Sequence, residues 1–121
     1  MRRLDDVLAE LRVDRVDFIK LDVEGAELSF LRGATSVLNG KSRPAILAEV
    51  QDLRTEPWGY PAREIIKFLS QAAYRWFALG AKGSLEPVST DLAAYDANLV
   101  ALPEERITEF QKMLEAPRSS L

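Results

Sequence analysis

The stretch Val16-Asp-Phe-Ile-Lys-Leu-Asp-Val-Glu-Gly-Ala-Glu27 decides the reading of this chain, because an apolar run in it gives way abruptly to carboxylates and a glycine. Phe18, Ile19, Leu21 and Val23 are strand formers in near-continuous order. That is the pattern of a strand covered on both faces, as in a parallel sheet flanked by helices. Gly25 permits a tight turn, and Ala26-Glu-Leu-Ser-Phe-Leu-Arg32 reads as a helix, so Asp22 and Glu24 are expected at the carboxyl end of the strand. In open α/β sheets ligands bind at that end.

Downstream, Leu28, Leu31 and Ala34 share one helical stripe, Gly33 interrupts or caps it, and a further turn runs to Leu38 before Asn39-Gly40. After the loop Lys41-Ser-Arg-Pro44, the apolar run Ala45 to Val50 is a second strand. Strand, helix, strand at this length is a βαβ unit, with parallel strands and a right-handed crossover. Parallel strands end on the same edge, so Glu49 is brought towards Asp22 and Glu24 and three acids are expected to converge. Upstream, Leu4, Val7, Leu8 and Leu11 follow helical spacing, with Asp5 and Asp6 in the first turn, where the helix dipole favours negative charge.

The remainder is ordinary in pattern. Gln51 to Tyr60 looks like a loop over the strand ends, and Pro61 suits a first helical position ahead of the stripe Ile65, Ile66, Leu69, Ala72 and Ala73. Arg75 to Leu79 and Ser84 to Val88 flank Gly80-Ala-Lys-Gly83 as a hairpin. Asn98 to Leu102 is a last strand, Pro103 opens a terminal helix to about Leu114, and residues 116–121 are expected to fray. The fold class is α/β, a single domain over residues 1–115.

A chain of 121 residues, 47% hydrophobic and 29% charged, can bury one core. Its net charge of -3 gives no basic footprint for nucleic acid. Without cysteine or histidine, thiolate zinc sites, disulfides and imidazole-dependent triads are excluded. No window approaches membrane-spanning length. A cytoplasmic protein is the expectation.

Leu4-Asp5-Asp6, then Val16 through Leu28, Leu31-Arg-Gly-Ala34 and Arg43-Pro-Ala-Ile-Leu-Ala-Glu49 together resemble the FkbM family of S-adenosylmethionine-dependent methyltransferases. The resemblance implies a partial Rossmann-like methyltransferase sheet. In the family the equivalent of Leu21-Asp-Val-Glu-Gly-Ala-Glu27 follows the fourth of seven strands, and Pro44 to Glu49 corresponds to the fifth. Ala73-Tyr74 falls where the family usually has Gly-Tyr. The family's glycine-rich cofactor loop and acidic ribose ligand lie upstream of the residues present here. The glycines, at 25, 33, 40, 59, 80 and 83, form no G-x-G-x-x-G turn. The chain is therefore expected to supply a substrate-side half, with the cofactor half on a complementing chain, lost, or outside this one.

The resemblance implies transfer of a methyl group from S-adenosylmethionine to a hydroxyl oxygen of a sugar, polyketide or related small molecule. Asp22 would be base or Mg²⁺ ligand, Glu24 and Glu49 the alternates (Glu24 also as ligand), and Lys20 the group that keeps Asp22 ionised. Glu27, Trp58 and Tyr60 are candidate substrate contacts. Each has a plainer reading. Asp22 can cap a helix, Glu24 and Glu27 can complement a helix dipole, Lys20 can form a structural ion pair with Asp22 or Glu49, and Trp58 and Tyr60 can anchor a loop. Two other classes compete with methyl transfer. One is a non-catalytic interaction module that pairs the exposed edge carrying Val16, Phe18 and Leu21 with a partner or a second copy. The other is a bare divalent-ion site for hydrolysis.

Overall fold

The computed structural model describes residues 2–115; the frayed tail expected at 116–121 lies outside the described residues. Five strands form one sheet: β1 (Phe18–Leu21), β2 (Ala45–Gln51), β3 (Tyr74–Leu79), β4 (Leu85–Pro87) and β5 (Asp96–Pro103), in the order β1-β2-β5-β3-β4. β1 and β2 are parallel, with Leu21 opposite Ala48. They are joined through α2 (Glu27–Arg32) and α3 (Thr35–Leu38), the βαβ unit expected from the spacing. β5 runs antiparallel to both its neighbours, Glu49 facing Asn98 on one side and Val100 facing Phe77 on the other. A strand that closes the sequence is thus threaded between two strands of the opposite direction, giving a partly parallel, Rossmann-like sheet.

Alternation along each strand divides the sheet into two unlike faces. On one, Leu21, Ile46, Ala48, Val50, Trp76, Leu99 and Ala101 are buried against α2 and α5 (Arg63–Gln71), which contribute Leu28, Leu31, Ile65, Ile66 and Leu69. Each leucine, isoleucine and valine among them contributes roughly 1.5–3 kcal/mol by leaving water. Among the described residues the opposite face is covered only at one end, where Ile107 and Phe110 of α6 (Ile107–Glu115) pack over Ala45, Phe77 and Leu102. The expectation that both faces of the first strand are covered is corrected here: Phe18 is 53% exposed and Lys20 is exposed, while Leu21, expected on an exposed edge, is 2% exposed. The apolar run is continuous in sequence but alternates in space. β1 is nonetheless a sheet edge.

Side-chain carboxylates fix several loops. Asp5, in α1 (Leu4–Leu11), accepts hydrogen bonds from the amides of Ser36 at 2.9 Å and Val37 at 3.3 Å, so it caps α3 as well as sitting in the first turn of its own helix. Asp52 accepts from the amides of Ala62 at 3.0 Å and Tyr95 at 2.7 Å. Those bonds hold the segment read as a loop in a turn of helix, α4 (Asp52–Thr55), followed by a 3-10 turn over Glu56–Trp58. α5 begins at Arg63 rather than Pro61, whose carbonyl accepts the amide of Glu64 at 3.0 Å and so starts the turn ahead of the helix.

Past the end of α5, Ala73 has φ 61°, the left-handed region in which a Cβ crowds the following carbonyl. The backbone at this position is therefore one that suits glycine. Ala73→Gly is expected to raise stability by about 0.5–1 kcal/mol, the strain relieved being larger than the added chain entropy of glycine. Urea unfolding measures it, and a variant less stable than wild type would contradict the strain assignment.

Candidate functional site

The turn after β1 is built from backbone geometry that tolerates little change. Glu24 and Gly25 both have positive φ, 50° and 104°. A Cβ on Gly25 would fall 2.2 Å from the Arg54 carbonyl oxygen and 2.4 Å from Cδ1 of Trp58, so the turn is closed by close approach of α4 and the indole. Trp58 Nε1 donates to the Glu24 carbonyl at 3.1 Å. The Tyr60 hydroxyl donates to the Gly25 carbonyl and accepts the Leu28 amide at 3.4 Å. Burial pushes the Tyr60 phenol above its ordinary value, so it remains a neutral donor here. Glu27 is 1% exposed, and its carboxylate accepts the amides of Val23 at 3.0 Å and Gly25 at 3.1 Å. Two charge-assisted bonds compensate its burial. Glu27, a candidate substrate contact by sequence, is in place a strut under the turn, and Tyr60 is a clamp on it. Trp58 backs onto Gly25 while staying 56% exposed.

Above this turn two carboxyls meet. Leu21 and Ala48 are register partners, so the next residues with parallel direction, Asp22 and Glu49, lie side by side at the strand ends. Glu49 is held above the ordinary carboxyl range chiefly by the Asp22 carboxyl beside it, with burial and the Asp22 charge adding to the effect. Arg54, 3.8 Å away, pulls in the opposite direction. The expected convergence of three acids is met by two. Glu24 turns outward at its left-handed backbone, its side chain 76% exposed and 3.9 Å from Arg54. Among the described residues no three carboxylates are gathered closely enough to hold a metal ion. The reading of Asp22 and Glu24 as Mg²⁺ ligands finds no support in this geometry.

Lys20 forms no ion pair among the described residues, so the pair expected with Asp22 or Glu49 is absent. Alternation explains it: Lys20 and Asp22 share a face but stand about 6.6 Å apart along the strand, and the near neighbour of Asp22 is Glu49 on the adjacent strand. All three side chains line a cleft of about 560 Å³ on the open face of the sheet, together with Leu47, Leu79 and Asn98. Two contributors were not visible in the sequence. Asn98 reaches the site only through the antiparallel register of β5 with β2, and Arg54 only because Asp52 holds α4 in place.

Comparison with known proteins gives a family. The family model described as the Methyltransferase FkbM domain matches residues 1–76, which include β1, β2 and the whole carboxyl pair. The AMB antimetabolite synthetase AmbE of Pseudomonas aeruginosa is 43% identical over 54 residues, 45% of this chain. The matched segment is 2% of that synthetase. No solved structure gives a significant match.

Proposed function

The chain belongs to the FkbM methyltransferase family, and on that premise we propose that it supplies the acceptor side of methyl transfer from S-adenosylmethionine to a hydroxyl oxygen of a small molecule or sugar. The observation that carries this reading is the Asp22–Glu49 carboxyl pair at the carboxyl edge of two parallel strands, opening onto a cleft with apolar walls. A hydroxyl placed over the pair loses its proton to it during reaction, and a carboxylate whose pKa is raised is a stronger base, when ionised, than an ordinary one. Asn98, across from Glu49, offers an amide to orient that hydroxyl, and Leu47 and Leu79 give the aliphatic part of the acceptor an apolar surface. That the AmbE relative is named as the synthetase of an antimetabolite favours a small-molecule acceptor.

The described residues offer no run of open glycine backbone of the kind that cradles a nucleotide cofactor: the space at Gly25 is filled by Arg54 and Trp58, that at Gly80 by Glu86 and Ser84, and Gly59, which is open, stands alone. On this reading the donor is held by elements other than these. Calorimetric titration of the chain with S-adenosylmethionine is expected to give a dissociation constant of about 1 mM or weaker; low-micromolar binding would overturn this division of labour. Methyl transfer itself is tested by fusing the chain behind the cofactor-binding half of an FkbM enzyme and following labelled methyl into hydroxyl compounds. A folded fusion that binds donor and transfers nothing would sink the reading.

One observation favours a second function. β1 is a sheet edge with unpaired backbone groups and a Phe18 ring 53% exposed, the combination that invites pairing with another chain. Light scattering across concentration is expected to show self-association, and a monomer at high concentration would argue against pairing through this edge.

A further inference from the structure

Lys20 is the one part of the cleft that proton handling does not use. The open face is laid out in two rows across the sheet. Asp22, Glu49, Asn98 and Leu79 form the row at the strand ends, and Lys20, Leu47, Val100 and Phe77 the row behind it. Lys20 has no carboxylate partner among the described residues, and the groups beside it in its row are apolar. The cleft is therefore polarised. The Asp22–Glu49 carboxyl pair stands at one end, and an ammonium without a carboxylate partner stands about 6.6 Å behind it.

Resting on the methyl-acceptor reading above, we propose that the acceptor is a hydroxy acid, whose carboxylate is held by Lys20 while its hydroxyl lies over the Asp22–Glu49 pair. The polarity of the cleft fixes which way such a molecule enters, since the reverse orientation sets carboxylate against carboxyl pair and leaves the ammonium unanswered. Among the described residues Lys20 is the one cation in the lining of the cleft, Arg54 being set against Glu49 at 3.8 Å and Glu24 at 3.9 Å. That suits a singly charged carboxylate, whereas a phosphate dianion is ordinarily met by several donors. The spacing between rows calls for a carboxylate and a hydroxyl separated by a short aliphatic segment, which Leu47 would line.

The test uses the chain itself and needs no donor. Titrations followed by NMR compare 4-hydroxybutyrate with 4-hydroxybutanamide, which keeps the hydroxyl and length but loses the charge. The acid is expected to bind at least about tenfold more tightly, the effect of one charge-assisted contact, with signals of Lys20 and Asn98 moving. Lys20→Met is expected to erase the difference and Lys20→Arg to retain it. Equal binding of acid and amide overturns the proposal, as does a preference that survives Lys20→Met, or the absence of any shift at Lys20. If Lys20→Met instead causes aggregation with the preference unchanged, the lysine is an edge-protecting charge and the proposal also falls. Butyrate serves as the control on the underlying reading: if it binds as well as 4-hydroxybutyrate, the carboxyl pair does not engage the hydroxyl, while the Lys20 site stands.

Discussion

Arg43→Met is expected to cost the fold about 3 kcal/mol, more than any single apolar truncation on the open face. Arg43 is 8% exposed and donates to the carbonyls of Leu38 at 3.2 Å, Ala73 at 3.0 Å and Ala72, and to both carboxylate oxygens of Glu105 at 2.8 and 2.7 Å. Its guanidinium also lies 4.8 Å from the centre of the Tyr74 ring. One side chain thus joins the ends of α3, α5 and β5. Methionine keeps the stem packed but leaves the carbonyls without a donor, and a buried polar group so orphaned costs about 1–3 kcal/mol. Lysine should rescue little, because a point charge cannot serve three carbonyls and a carboxylate at once. The pH dependence separates the two halves of the loss. Arg43 holds Glu105 at about 2, below its ordinary 4.5. A depressed carboxyl stabilises fully above its unfolded value and loses that contribution as pH falls through the folded one, so wild type and variant should converge partly between pH 4.5 and 2. The convergence is only partial because the Glu105 side chain is 49% exposed and screened by solvent. Guanidinium unfolding at pH 7 and pH 3 checks both statements; a gap independent of pH would remove Glu105 from the account, and a loss below 1 kcal/mol would remove Arg43.

Arg43 also shows what the sequence made legible. The strands, the helix stripes and the βαβ unit are visible because each is written locally, in apolar runs bounded by Gly and Pro. The parallel register of β1 and β2 follows from the length of the crossover, and with it the approach of Glu49 to Asp22. What escaped is what depends on distant partners. The insertion of β5 between β2 and β3 is decided by pairing across the whole domain. Helix α4 exists because Asp52 bonds to Tyr95, 43 residues on. Adjacency in sequence also misled: Lys20 and Asp22 look paired on the page, but a pleated strand separates them and gives Asp22 a neighbour of like charge. Glu27 has the composition of a site residue and the burial of a core one.

Asp22→Asn, in a fusion that carries the donor-binding half, is expected to lower turnover by about a hundredfold or more, the usual scale of lost acid–base help. Asparagine keeps the shape and can still accept a hydrogen bond, but it carries no charge and takes up no proton. Glu49 should then titrate closer to its ordinary value of 4.5, since the principal cause of its elevation is gone. Stability should move the other way from activity. A carboxyl whose value is raised by folding stabilises at low pH and loses that contribution as pH rises through the folded value, so the wild type carries a penalty at neutral pH that the variant lacks. Melting temperatures should therefore favour Asp22→Asn more at pH 7 than at pH 4. Had Asp22 been the partner of Lys20, the sign would be opposite: the variant would strand an ammonium and melt lower at pH 7. Turnover, melting and a carboxyl NMR titration on one variant decide the matter. Full turnover with an unshifted Glu49 would show that Asp22 neither raises Glu49 nor handles the acceptor's proton.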